Sequence, residues 1–188
     1  MKIGVLALQG SFAEHRAVLA ALGVESAEVR LPNHLDRLDG LIIPGGESTT
    51  MGKLAVAYGL MDPLREFGAR KPIWGTCAGA ILLSKDARRE QPLLGLMDIR
   101  VERNAFGPQA ASFEADLDCP AVCNGSGPFR AVFIRAPVIE HAGSGVEVLA
   151  RLEDGRIVAA RQGRWLATSF HPELTGDARF HRYFIGLI

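Results

Sequence analysis

The chain has 188 residues, 48% of them hydrophobic, and its 21 Lys and Arg balance 21 Asp and Glu. This is ordinary globular composition for one well-filled core, so we predict a single domain over residues 1–188. The balanced charge offers no basic field for nucleic acid or an anionic membrane. The apolar stretch 72–84 is too short for a membrane helix, and the N-terminus leads directly into a strand pattern, so neither a membrane span nor a signal peptide is expected.

The first part of the chain alternates predicted strands with predicted helices. Residues 2–8 are rich in Ile, Val and Leu, which is typical of a buried strand, and an Ala- and Leu-rich helix follows. Ser11 and Glu14 have the spacing of a capping box, so we expect the Ser11 hydroxyl to cap this helix. Further strands are predicted at 24–30 and 40–43. The alternation predicts an α/β fold of three layers around a mostly parallel sheet.

A glycine-rich loop, 44–48, follows the strand at 40–43. Two glycines after a buried strand allow main-chain N–H groups to approach a ligand closely. The same pattern also fits a tight turn into a helix capped by Ser48 or Thr49, and the residues alone favour neither interpretation. The loop lacks the Gly-Lys-Ser/Thr ending of a phosphate-binding P-loop. A helix to about Tyr58 and a short one from Asp62 should follow.

The stretch from Pro72 to Leu83 has the pattern strand, sharp turn, helix, with Gly75-Thr76-Cys77-Ala78-Gly79 at the turn. The flanking glycines let the backbone turn tightly. They place the thiol at the end of a strand and the first turn of a helix, where free N–H groups and the helix dipole favour a thiolate. We therefore predict that Cys77 is a nucleophile rather than an inert buried thiol.

The region from residue 98 to about 163 changes character, because short strands there are separated by Gly- and Pro-rich turns. These predicted strands are 99–102, 131–134, 146–152 and 157–160. They indicate an antiparallel extension of the parallel sheet. A final core strand is predicted at 165–170 and a closing helix at 177–188.

His171-Pro172-Glu173 follows the last predicted strand directly. In an extended segment residues i and i+2 point to the same side, so His171 and Glu173 can act together. An imidazole beside Cys77 would take the thiol proton, and a carboxylate behind the ring would fix its tautomer. We predict that Cys77, His171 and Glu173 form a catalytic triad.

The other two cysteines, Cys119 and Cys123, lack a second Cys or His pair at metal-ligand spacing. We interpret them as structural thiols and expect no metal site. An odd number of cysteines argues against a disulfide framework and for a reducing compartment, so a cytoplasmic location is expected.

The order Cys, His, Glu differs from that of an α/β-hydrolase, in which the acid precedes the histidine. With Gly-Thr-Cys-Ala-Gly and His-Pro-Glu, it resembles the class I, triad-type glutamine amidotransferases. Within that class, five colinear blocks resemble the glutaminase subunits of pyridoxal 5′-phosphate synthase, and the resemblance extends from the first strand to the last helix. The blocks are 5–15, 41–51, 103–107, 133–137 and 170–174.

The resemblance implies hydrolysis of L-glutamine to L-glutamate and ammonia through a glutamyl thioester. It implies a partner, the pyridoxal 5′-phosphate synthase subunit, in a large hetero-oligomer, and no cofactor bound by this chain. Gly46 and Ala78 would form an oxyanion hole, and Gln9 would lie near the partner interface. The implied glutamine-binding residues are Gly46, Glu47, Ser48, Arg103, Ile134 and Arg135. Without the resemblance, Arg103 and Arg135 would be interpreted as solvated surface charges.

One block departs from the family pattern Asn-Ser-Phe-Gly-Arg-Gln, because this chain has Ala105 and Pro108 at the serine and arginine positions. Three alternatives stay open. The chain could serve a different amidotransferase, it could be a cysteine-dependent ester or amide hydrolase, or it could be a regulatory subunit without activity. The last usually lacks a triad member, and none is missing here.

Overall fold

The computed structural model describes residues 1–103, 105–106 and 112–188. Of the departing block, Asn104, Gly107, Pro108 and Gln109 lie outside the described residues, so the predicted effect of Pro108 stays a prediction. Among the described residues, no helix is both long and apolar enough to cross a membrane.

Twelve strands and six α-helices are present in the described residues. The strands are β1 Lys2–Leu6, β2 Glu25–Val29, β3 Gly40–Ile43, β4 Ile73–Thr76, β5 Ser84–Asp86, β6 Met97–Glu102, β7 Ser112–Leu117, β8 Phe129–Ile134, β9 Val138–Ala142, β10 Glu147–Arg151, β11 Ile157–Gln162 and β12 Trp165–Thr168. The helices are α1 Phe12–Ala21, α2 Ser48–Ala57, α3 Met61–Arg70, α4 Ala78–Leu83, α5 Pro120–Cys123 and α6 Arg179–Ile185. Two 3₁₀ helices cover Pro32–Leu35 and Pro172–Leu174.

Ten strands form one sheet in the order β2-β1-β3-β4-β12-β11-β9-β6-β5, with β10 paired to β11. The first five strands of this order are parallel to one another. Strand β11 runs antiparallel to β12, and β9 runs antiparallel to both β11 and β6. The prediction of a parallel sheet with an antiparallel extension is confirmed. Strands β5, β7 and β9 and the short helix α5 were not predicted.

Helices cover both faces of the parallel part. On one face, Leu19 of α1 and Phe180 and Phe184 of α6 belong to the core that contains Trp74 of β4. On the other face, α2 and α3 contribute apolar side chains to a second core, Phe67 among them. The alternating faces of the buried strands account for these two cores, since successive side chains of a strand point to opposite sides. The fold is a three-layer α/β/α arrangement.

Strands β7 and β8 form a separate antiparallel ribbon. Its aromatic side chains stack across the strands, with the rings of Phe113 and Phe133 4.6 Å apart. Phe133 also packs edge-on against Phe170, which precedes the predicted catalytic histidine. The backbone N–H of His171 donates to the carbonyl of Val132 at 2.8 Å, so the ribbon helps to fix the end of the segment after β12.

Ser11 is the N-cap residue of α1, as predicted, but the capping hydrogen bond predicted for its hydroxyl is wrong. The Ser11 side chain makes no capping hydrogen bond at the start of α1, because its hydroxyl donates to Glu173 instead. Helix α2 is capped by Glu47, whose carboxylate accepts the Thr50 N–H at 2.7 Å, rather than by Ser48 or Thr49. At α1 a long-range contact replaces the local bond that the sequence predicts. At α2 a neighbouring carboxylate caps the helix instead of the two hydroxyls that the sequence left open.

Candidate active site

Cys77 lies between the end of β4 and the first residue of α4, with φ 49° and ψ −108°. A non-glycine residue rarely adopts a positive φ, and such strain costs about 1–3 kcal/mol. The Cys77 N–H donates to the carbonyl of Thr168 on the neighbouring β12 at 2.7 Å, which helps to hold this conformation. The strained turn holds the cysteine at the end of the parallel strands.

The two glycines around Cys77 allow close packing. A side chain on Gly79 would overlap the carbonyl oxygen of Ile43, and one on Gly75 would overlap the backbone of Gly79. Helix α4 can therefore approach β3 and β4 only because both positions lack a Cβ. The sequence pattern indicates a tight turn made by the glycines, whereas the positive φ is at the cysteine itself.

His171 and Glu173 are in contact, since His171 Nδ1 lies 2.8 Å from Glu173 Oε1. The contact does not come from the extended segment that was predicted, because Pro172–Leu174 is a 3₁₀ helix. The imidazole also lies against Gly45, where an added side chain would overlap His171 Cε1 and come within 3.3 Å of Cys77 Cβ. The His171 ring and the Cys77 side chain are therefore neighbours on either side of Gly45, where any side chain would overlap the ring.

Burial opposes charge on His171, yet its hydrogen bonds with Cys77 and Glu173 outweigh burial and raise the pKa of the imidazole to about 10. Burial likewise opposes charge on Glu173. Hydrogen bonds from His171 and Ser11 and the nearby His15 outweigh that effect and lower the pKa of the carboxyl to about 2. His171 is therefore held as an imidazolium between Cys77 and the Glu173 carboxylate, where it can give its proton to a leaving group.

A cavity of about 390 Å³ opens beside these side chains. Its lining comprises Gln9, Gly46, Glu47, Ser48, Cys77, Ala78, Ile81, Arg103, Ile134, Arg135, Pro137 and His171. The structure thus brings together in one cavity all the residues predicted for glutamine binding, the oxyanion hole and the partner interface, with two of the three triad residues. Glu173 lies behind His171, outside the lining.

Arg103 is held at the wall of this cavity rather than extended into solvent. Its guanidinium contacts Glu47 Oε1 at 2.6 Å and donates to Thr49 Oγ1 at 2.9 Å. Burial opposes ionisation of Glu47, but hydrogen bonds from Thr50 and Arg103 outweigh it and lower the pKa of this carboxyl to about 2. The Glu47 carboxylate therefore both caps α2 and binds Arg103. Arg135 lines the same cavity and has a positive φ of 44°.

Hydrogen bonds to residues 9–11, which follow β1, hold the glycine-rich loop 44–48 in place. The carbonyl of Gly45 accepts the Ser11 N–H at 3.1 Å, and the Glu47 N–H donates to Gln9 Oε1 at 2.7 Å. Ala78 is the first residue of α4, where main-chain N–H groups have no intrahelical acceptor. Gly46 and Ala78 both line the cavity, and their role as an oxyanion hole stays a prediction.

Two residues that contact Glu173 were missed by the sequence analysis. The Ser11 hydroxyl donates to Glu173 Oε1 at 2.6 Å, and His15 Nε2 lies 3.3 Å from Glu173 Oε2. Ser11 and His15 are four residues apart at the start of a predicted helix, and that spacing places both on one helix face. The spacing of Ser11 and His15 could therefore have suggested that both side chains contact the same group.

Comparisons with known proteins cover nearly the whole chain. The model of the SNO glutamine amidotransferase family matches residues 5–188. The pyridoxal 5′-phosphate synthase subunit PdxT of Pelotomaculum thermopropionicum is 62% identical over 187 residues, 98% of this chain and 94% of that protein. The protein of the same name from Herpetosiphon aurantiacus is 60% identical over 192 residues, the full length of both. A crystal structure of a glutamine amidotransferase superposes with a TM-score of 0.92 at 54% identity, covering 98% of this chain and 97% of that one.

Proposed function

Because the chain belongs to the SNO glutamine amidotransferase family, we propose that it is the glutaminase subunit of a pyridoxal 5′-phosphate synthase. It hydrolyses L-glutamine to L-glutamate and ammonia. The observation that carries the proposal is the hydrogen bond of 2.8 Å between His171 and Glu173, with the imidazole lying beside Cys77 in a cavity. The full-length relatives with 60% and 62% identity, both named as subunits of that synthase, support the same function.

The reaction begins with the Cys77 thiolate attacking the side-chain amide carbon of glutamine. The N–H groups of Gly46 and Ala78 stabilise the oxyanion, each donor contributing about 2.7–4 kcal/mol. The His171 imidazolium gives its proton to the leaving ammonia, and a glutamyl thioester remains. His171 then removes a proton from the water that hydrolyses the thioester, while Glu173 keeps the ring oriented.

Recognition of glutamine uses the far end of the cavity. The guanidinium of Arg103 binds the α-carboxylate, and Glu47, Ser48, Ile134 and Arg135 complete the site. Arg103 is bonded to Glu47 at 2.6 Å before substrate arrives. The substrate carboxylate therefore competes with Glu47 for the guanidinium, and binding should be weak until that competition is relieved.

The ammonia passes to the synthase subunit, the partner in a large hetero-oligomer. Gln9 lies near that interface and holds the glycine loop through the Glu47 N–H at 2.7 Å. Docking of the partner acts on this loop and improves the placement of the Gly46 N–H. A Gln9→Ala variant that responded to the partner as fully as the native chain would contradict this part of the proposal.

The test is glutamate release from L-glutamine by the purified chain, alone and mixed with the synthase subunit from the same source. Cys77→Ala is the control. We expect release that the partner stimulates and that the Cys77→Ala variant abolishes. Absence of glutamate in both mixtures, with folded protein, would overturn the proposal. Full activity without the partner would point to a glutaminase that serves another role.

A further inference from the structure

A group of fully buried polar side chains lies behind the site and is not used in the reaction described above. His15 of α1 and His181 of α6 are both 0% exposed, with His15 Nδ1 3.0 Å from His181 Nε2. His15 Nε2 lies 3.2 Å from Thr76 Oγ1 and 3.3 Å from Glu173 Oε2. Trp74 encloses the pair edge-on, its ring 4.9 Å from that of His181. Burying two imidazoles is costly unless they are hydrogen-bonded.

The contacts decide which nitrogen of His15 carries the proton. With the proton on Nδ1, the bare Nε2 would face the carboxylate oxygen of Glu173, and His181 would keep a buried N–H at Nδ1. That Nδ1 atom has no hydrogen-bond partner among the described residues. With the proton on Nε2, His15 can donate to Thr76 Oγ1 at 3.2 Å, with Glu173 Oε2 beside it at 3.3 Å. It then accepts the His181 Nε2–H, which leaves only a lone pair at His181 Nδ1. The second arrangement satisfies more groups.

Glu173 supplies an independent observation. Its Oε1 atom receives hydrogen bonds from Ser11 at 2.6 Å and His171 at 2.8 Å. Its Oε2 atom is buried and has no well-aligned hydrogen bond in the described part of the chain. His15 Nε2, at 3.3 Å, is within reach of this oxygen but not yet in good geometry. Catalytic hydrogen bonds are often long in the free enzyme and shorten when substrate is bound.

The pKa shifts of His15 and His181 indicate that both imidazole rings are neutral. Burial lowers the pKa of His15 to about 4, with Glu173 and Glu14 opposing and His171 adding to the shift. Burial also lowers the pKa of His181 to about 3, with His15 adding to it. Both rings are therefore uncharged at neutral pH and can act only as directed N–H donors and acceptors.

We propose that His15 is a positioning residue for the catalytic glutamate, and that His181 fixes the tautomer in which His15 donates to Glu173 Oε2. Together with Ser11 at Oε1, His15 prevents the carboxylate from rotating away from His171. The catalytic consequence rests on the proposed function, because it matters only if His171 and Cys77 react. The positional role can be measured without that reaction.

The decisive comparison is His15→Asn against His15→Gln. Glutamine places its amide nitrogen near the position of Nε2 and keeps a donor for Glu173, whereas asparagine places it near Nδ1 and does not. We expect kcat of partner-stimulated glutamate release to fall by about 10- to 100-fold in His15→Asn, as for the loss of a hydrogen bond to a charged group. In His15→Gln it should stay within about threefold, and KM for glutamine should change little in either variant.

A second readout needs neither glutamine nor partner. The rate of Cys77 alkylation by iodoacetamide, followed by peptide mass and measured against pH, reports the thiolate. In His15→Asn the pH of half-maximal rate should rise by about one unit, because a displaced Glu173 stabilises the His171 imidazolium less. His15→Gln should match the native profile. A shift of this kind in a chain that releases no glutamate would leave the positioning role standing and overturn the proposed function alone.

Equal effects of His15→Asn and His15→Gln on both readouts would show that His15 only fills space, and would overturn the proposal. If His15→Asn fails to fold, the pair His181→Gln and His181→Phe decides. The glutamine variant keeps a donor toward His15 Nδ1, and the phenylalanine variant does not. We expect only His181→Phe to shift the alkylation profile, by less than His15→Asn, and identical profiles for the two would contradict the role of His181.

Discussion

Two buried cysteine sites in this molecule share almost the same exposure and differ in their charged neighbours. Cys77 is 6% exposed, Cys119 0% and Cys123 5%. Cys77 lies beside an imidazole that is hydrogen-bonded to a carboxylate. The Sγ atoms of Cys119 and Cys123 are 2.9 Å apart, and burial, together with Cys123, raises the pKa of Cys119 to about 12. Burial does not decide whether a cysteine reacts; its charged neighbours do.

The backbone adds to this difference. Cys77 adopts a positive φ at the end of a parallel strand, where the cavity opens. Cys119 precedes the short helix α5, in a core with Phe129 and Leu149. The first site is built from several elements at the carboxyl end of the parallel strands. The second is formed by one short turn and helix. Variants of the two sites should therefore separate activity from stability.

The largest expected effect is on activity. Cys77→Ala should lower partner-stimulated glutamate release by at least about 10³-fold, since no other group can form the thioester. Cys123→Ala should leave the rate within about twofold. Glutamate formation by the two variants, with circular dichroism as the check on folding, tests this. A comparable loss of activity in Cys123→Ala with an intact fold would break the comparison.

Alkylation of the native chain should sharpen the contrast without any substrate. At pH 7 a thiol with a pKa of about 12 is ionised in only about one molecule in 10⁵. We expect iodoacetamide to modify Cys77 at least about 10²-fold faster than Cys119, as measured by peptide mass spectrometry over time. Similar rates at both positions would mean that His171 does not activate Cys77.

Replacing His171 or Glu173 should lower kcat by an amount that depends on the role of each side chain. Glu173→Ala should lower kcat by about 10²-fold, because Glu173 orients the imidazole without transferring a proton. His171→Ala removes the proton carrier and should cost more. Rates of glutamate release by the two variants at saturating glutamine provide the test, and a larger loss in Glu173→Ala would contradict the assigned roles.

The smallest expected effect is on the pH dependence of stability. The pKa of His15 is lowered to about 4 and that of His181 to about 3 in the folded chain, so below pH 6.5 the unfolded state binds more protons. The free energy of unfolding should therefore fall as the pH drops from 6.5 to 5, by up to about 1.4 kcal/mol per pH unit for each histidine.

His15→Gln removes one of these two groups and should reduce that slope by up to about 1.4 kcal/mol per pH unit. Urea unfolding of both chains at pH 5, 5.75 and 6.5 measures the slopes. Replacing Cys119 by Ser should leave the slope unchanged in this range, because the thiol titrates only in alkali. Parallel slopes for the native chain and His15→Gln would show that His15 is not held neutral by the fold.

Much of the fold was predictable because several of its parallel strands are short, continuous apolar runs. The strand at 40–43 and the turn at Cys77 were located from pattern alone, since a parallel sheet buried on both faces has few alternatives. Strand β7 was missed because Glu114 and Asp116 make it look like a solvated loop. Its pairing with β8 is a tertiary contact that no local pattern contains.

The candidate site was predictable in composition and less so in geometry. His171 and Glu173 meet through a 3₁₀ turn rather than an extended segment. Ser11 fits a capping box by spacing, yet its hydroxyl bonds a carboxylate 162 residues later. The Ser11 hydroxyl reaches Glu173 because the packing of α1 on the sheet brings the start of that helix to the segment after β12. No local sequence pattern contains that information.

The positive φ of Cys77 also has an evolutionary consequence. Glycine would adopt this angle without strain, so a lineage selected for stability alone would be expected to gain by losing the nucleophile. Strain of about 1–3 kcal/mol is a sizeable part of the margin by which a domain of this size stays folded. Cys77→Gly would therefore be expected to relieve strain while removing the thiol, so the strained turn is a stability cost that the fold carries for the proposed chemistry.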